Sequence, residues 1–150
     1  MGLLTILALL SLLLPQVRVV VWESGQQHHL YLWGGHDALG SDVSGIAYTL
    51  AALMGGIAAL LMIGGFRDLQ SDNPRAIARF NWAALFIAIE LVFLLGIAEE
   101  VLTDLRMQRL YADSYASWGG GVAEFLFFAL LFVPGWVKKA YFPSTEPARA

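Results

Sequence analysis

Residues 44–66 read SGIAYTLAALMGGIAALLMIGGF, an apolar run without one charged side chain. At about 1.5 Å of rise per residue, such a run is long enough to cross the roughly 30 Å hydrocarbon core of a bilayer as a single helix. Three further stretches of similar character lie on either side of it: Leu3–Trp22 (LLTILALLSLLLPQVRVVVW), Phe80–Leu102 (FNWAALFIAIELVFLLGIAEEVL) and Trp118–Val137 (WGGGVAEFLFFALLFVPGWV). The pattern predicts an all-α integral membrane protein, a four-helix bundle forming a single transmembrane domain over 1–150. Its spans are expected at about 3–22, 44–66, 80–102 and 118–137, with a short disordered tail at 143–150.

Composition points the same way. Hydrophobic residues make up 58% of the 150, charged residues 14%, and the mean hydropathy is +0.64, values hard to reconcile with a water-facing surface. The lipid bilayer is the expected solvent and first partner. A formal net charge of −3 without a basic cluster excludes nucleic acid, whose phosphates demand concentrated Lys and Arg. The absence of cysteine removes disulfides, iron–sulfur ligation and c-type haem attachment, so any bound divalent metal must use His, Asp or Glu. No phosphate loop, nucleophile elbow, H-E-x-x-H or calcium loop is present.

The first stretch admits a second reading, because Leu3–Leu14 has the length of a signal-peptide core and Pro15 interrupts it. No basic segment precedes it, and Val17–Trp22 restores full spanning length, so the expectation is a retained, kinked helix. Orientation follows from the basic residues. The loop 23–43 has none, whereas Arg67, Arg75 and Arg79 flank the second connection and Lys138, Lys139 and Arg149 the end. Both termini are therefore expected to be cytoplasmic, with the His-containing loop 23–43 outside, although Arg106 and Arg109 weaken the bias.

Local signals refine the picture. Ala47, Ala51, Gly55 and Ala59 recur every four residues and predict a helix-packing face on the second span, turned to another helix of the chain or to a partner subunit. Asp72 or Asn73 can cap the third helix, Pro74 suits its first turn, and its pattern continues outward through Asp104, Leu105, Met107 and Leu110.

Polar residues inside the spans are the strongest functional signal, since an ionisable group in lipid is costly. Glu90 falls about 15 Å from Phe80, near the midplane, where an unpaired carboxylate favours the protonated form. Glu124 and Arg18 are expected at comparable outer depths and can form a structural ion pair. Glu99, Glu100 and Asp104 cluster at the outer end of the third helix. His28, His29, His36 and Asp37 in the outer loop, with Asp104 below, are candidate metal ligands. Gly119, Gly120 and Gly121 bare the first turn of the fourth helix to a ligand or to close packing.

Three functions follow as expectations. The leading one is an accessory or assembly subunit that packs against other membrane subunits or copies of itself. The second is a metal-dependent membrane enzyme with a His/carboxylate site at the outer rim, in which Glu99, Glu100 or Glu124 acts as ligand or base. The third is a small proton- or cation-coupled transporter using Glu90 and Glu124.

Overall fold

The structure is a computed structural model that describes residues 2–32 and 45–142; His36, Asp37 and the tail 143–150 lie outside the described residues. The element order is α1 (Gly2–Leu13), β1 (Val17–Val21), β2 (Gln27–Leu30), α2 (Gly45–Gln70), α3 (Arg75–Met107), β3 (Ala112–Ala116) and α4 (Trp118–Tyr141). The protein is mostly helical, with a small sheet. Two helices, α2 over Ile46–Gln70 and α4, are long and apolar enough to cross a membrane.

The expectation of a kinked spanning helix over 3–22 is overturned, and with it the purely α-helical four-span bundle. Helix α1 stops at Leu13. Its 12 residues rise only about 18 Å, well short of a bilayer core. Pro15 has no N–H to continue the helix. The following Val17-Arg18-Val19-Val20-Val21 run is rich in β-branched side chains that lose rotamer freedom in a helix and fit a pleated surface. It becomes the central strand of an antiparallel sheet of order β2-β1-β3, with Val17 opposite Leu30 and Ala116, and Arg18 opposite His29 and Tyr115. Alternation sorts the faces. Val17, Val19 and Val21 are buried together with Leu30 and Ala112 against Ile97, Val101 and Leu105 of α3.

The sheet joins the segments that follow α1 and α3, so the first and third connections meet at one end of the molecule. The turn between α2 and α3 lies at the other. Helices α2 and α3 pack antiparallel in close register. A β-carbon on Gly55 would touch the carboxyl of Glu90, and one on Gly65 would touch the ring of Phe80, ten residues further along α2 and ten back along α3. The predicted small-residue face is thus an intramolecular seam: Ala51 and Ala59 are almost fully buried, Gly55 is buried and Ala47 is half-buried. Phe80 fills the core where Gly65 makes room, edge-on to Phe66 with ring centroids 5.1 Å apart.

Both ends of α3 have local causes. The Arg75 amide donates to Asn73 Oδ1 at 3.0 Å, so Asn73 supplies the predicted cap. At the far end Leu110 N–H donates to the Leu105 carbonyl and Arg109 N–H to that of Arg106, both at 2.9 Å, with Arg109 in the left-handed region at φ 63°. This is a Schellman stop with Arg where glycine is usual, and Leu110 packs back onto the cluster that holds Leu105.

Candidate functional site

Glu90 is the one fully buried charged-type side chain among the described residues, with 2% of its surface exposed. Its carboxyl lies in the seam where Gly55 leaves room on α2, and Leu12 of α1 closes on the same glycine. Its Oε1 has no hydrogen-bond partner among the described residues. Tight packing of α2 on α3 therefore places the carboxyl among apolar walls.

Glu124 occupies a different place. It lines a cavity of about 220 Å³ between α3 and α4 beneath the sheet, together with Gln16, Leu91, Leu94, Leu95 and Tyr115. Glu90 is not among the lining residues. The two carboxyls thus sit on different sides of α3, one toward α2 and one toward α4.

The expected ion pair between Arg18 and Glu124 is not formed. Among the described residues the ion pairs are Arg79 with Asp68 at 2.9 Å and Arg106 with Glu99 at 3.3 Å. The strand geometry explains the change. Arg18 belongs to β1, where its cross-strand neighbour is Tyr115, and its guanidinium carbon lies 5.5 Å from the centre of that ring.

The three glycines divide into two roles. Gly119 N–H donates to the Pro15 carbonyl at 2.8 Å and Ser117 N–H to the Gln16 carbonyl at 2.9 Å, so the chain itself uses amides at the start of α4. A β-carbon on Gly119 would meet the Leu14 carbonyl at 2.9 Å, and one on Gly120 would overlap the Gln16 carbonyl. Gly119 and Gly120 are packing glycines, set against the Pro15–Gln16 link. Gly121 faces open space.

Gln16, which the sequence reading passed over as part of a helix, is the hinge of this region. It is 1% exposed, and its Nε2 donates to the carbonyls of Ser11 and Leu14 at the C-terminal end of α1. Its Oε1 is buried and unpartnered. A polar amide directly after Pro15, followed by valines at alternate positions, is the signal that this segment leaves helical structure.

Of the candidate metal ligands, His28 and His29 are consecutive residues of β2 and project to opposite faces of the sheet, His28 beside Val19 and His29 beside Arg18. They do not converge on one ion. Among the described residues no group of three or more His, Asp or Glu side chains is placed to hold a metal, and His36 and Asp37 lie outside those residues. Glu99 and Glu100 are exposed and Asp104 is half-buried, all away from the α3 face that carries the sheet. No protein-family model, curated protein or solved structure matches the chain.

Proposed function

We propose that this chain is a small polytopic membrane protein acting as an accessory or assembly subunit of a larger membrane complex. In this reading α2, the apolar part of α3 from Phe80 to Ala98 and α4 cross the bilayer, α1 enters it partway, and the sheet stands at the non-cytoplasmic surface. Charge supports that orientation. Arg67, Arg75, Arg79, Lys138 and Lys139 gather at the helix ends opposite the sheet, where the positive-inside bias puts the cytoplasm.

The observation that carries the proposal is the outer face of α4. Trp118, Phe125, Phe128, Phe132 and Trp136 fall on one stripe of the helix and are all more than half exposed. Large flat rings bury much area at little cost in side-chain entropy, and they concentrate where one protein packs on another. The stripe suits a transmembrane helix of a neighbouring subunit.

Native mass spectrometry of the protein gently extracted from its own membrane tests this directly. We expect a heavier hetero-complex, and we expect the double variant F128A/F132A to be released from it as a folded, detergent-solubilised chain. A wild-type protein found only as monomer or homo-oligomer, or a variant that keeps its place in the complex, refutes the assignment.

A further inference from the structure

We propose that the cavity between the sheet and the first turns of α4 binds an anionic amphiphile through a phosphate head. Its volume is about 640 Å³, and α1, β1, β2 and α4 all contribute to its wall. Arg18 and His29 stand opposite each other in the β1–β2 pair, so they share one face of the sheet, and both line the cavity. Arg18 Nε and His29 Nδ1 are buried without a hydrogen-bond partner, which leaves the arginine's two terminal amino groups and the imidazole Nε2 for a ligand. Among the described residues Arg18 has no ion pair; Asp113, on the same face of the sheet, is set beside the Tyr115 hydroxyl at 3.5 Å. Ser117 adds a hydroxyl that makes no capping bond, Trp118 an indole N–H, and the N-terminal end of the 24-residue α4 a partial positive charge. The lining holds no carboxylate. Donors converging from β1, β2 and the start of α4, one of them a permanent cation without a counter-charge, call for a group with several anionic oxygens, which a tetrahedral phosphate supplies.

The third glycine of α4 gives an independent reason. Gly119 and Gly120 are required by close packing, but a β-carbon on Gly121 meets no atom within 4 Å. Glycine is a poor helix former, and here no contact of the chain demands it; Gly121 lines the cavity, and its missing side chain keeps that space open. No basic residue lies between Arg109 and Lys138 in sequence, so the cations that accompany this glycine are brought to it only by strand pairing. Leu7, Val122 and Phe125 complete the wall with apolar surface. Phe125 is seven residues along α4 from Trp118, about 10 Å further into the bilayer, so an alkyl chain runs from a head at the sheet into the hydrocarbon. The inference rests on the reading of α4 as a membrane helix with the sheet at the surface, and not on a partner subunit.

Isothermal titration of the full chain in nonionic-detergent micelles with dodecyl phosphate tests it. We expect saturable binding at one per chain, weakened about tenfold or more by Arg18→Gln, since charge-assisted hydrogen bonds are lost. Inorganic phosphate, which lacks the chain, and dodecylphosphocholine, whose quaternary ammonium offsets the phosphate charge, should each bind at least several-fold more weakly. Gly121→Leu, at a position with open space, should fill the cavity and weaken binding to a similar degree while the chain stays folded by circular dichroism. Absence of saturable binding, affinity unchanged by Arg18→Gln or by Gly121→Leu, or either control probe binding as tightly as dodecyl phosphate, overturns the proposal. Native mass spectrometry from nanodiscs of equal phosphatidylglycerol and phosphatidylcholine separates the sources. One phosphatidylglycerol retained by the wild-type chain and lost from Arg18→Gln makes a bilayer lipid the natural occupant, and no retained lipid beside intact dodecyl phosphate binding makes it a free alkyl phosphate. Release of the chain from its own membrane by alkaline carbonate refutes the membrane reading, a failure that the titration in micelles does not share.

Discussion

Replacing Gly120 with alanine adds one methyl group, and the structure gives it nowhere to go. The new β-carbon would overlap the backbone carbonyl of Gln16, an atom held by the Ser117 amide at 2.9 Å, while the Gly119 amide holds the adjacent Pro15 carbonyl at 2.8 Å. No flexible side chain can move aside, so α4 and the Pro15–Gln16 link must separate. Overpacking of this kind costs about 1–3 kcal/mol. Weakening the two hydrogen bonds adds about 0.5–1.5 kcal/mol each, and the better helix propensity of alanine returns up to about 1 kcal/mol. The net destabilisation expected is about 2–4 kcal/mol. Gly121→Ala, one residue later, meets no atom within 4 Å and should be neutral or stabilising by up to about 1 kcal/mol. Unfolding of both variants in nonionic micelles, followed by circular dichroism, should therefore move the two midpoints in different directions or by very different amounts. Equal shifts for Gly120→Ala and Gly121→Ala would refute the close approach of α4 to the Pro15–Gln16 link.

Two other substitutions probe the remaining features. Glu90→Met keeps the length of the side chain while removing a buried carboxyl whose Oε1 is unpartnered, and should stabilise the protein by about 1–3 kcal/mol in the same unfolding assay; a loss of stability would mean that the carboxyl has a partner. Arg109→Gly relieves a left-handed backbone at the end of α3 and should add about 0.5–1 kcal/mol, whereas a destabilised variant would show that the arginine side chain contributes more than the backbone strain costs.

Much of the helical framework was legible along the chain. The uncharged run 44–66 and the apolar run from Trp118 have the length and composition of membrane helices, and α2 and α4 form over them. The small-residue ladder Ala47, Ala51, Gly55, Ala59 announced close helix packing, and Pro74 with Asn73 announced the start of α3. Periodicity and capping act over one or two turns, so a linear reading reaches them.

Val17–Val21 is as apolar as a helix end but forms a strand. Hydropathy does not separate a buried strand from the end of a helix, and the β-branched valines after Pro15 carried the decision instead. Everything that followed from that segment changed with it. Arg18 moved from a helix facing Glu124 to a strand facing Tyr115, His28 and His29 were set on opposite faces, and Gln16 became a buried hinge.

By itself the sequence determined the apolar helices α2 and α4 and the start of α3, because these depend on residue type and on spacing within one element. Which polar groups meet was decided only by the tertiary structure. Glu90 faces Gly55, Glu124 shares a cavity with Gln16, and Gly119 and Gly120 receive the Pro15–Gln16 link, through contacts between residues far apart in the chain. Such contacts depend on strand pairing and helix register, which no local pattern encodes.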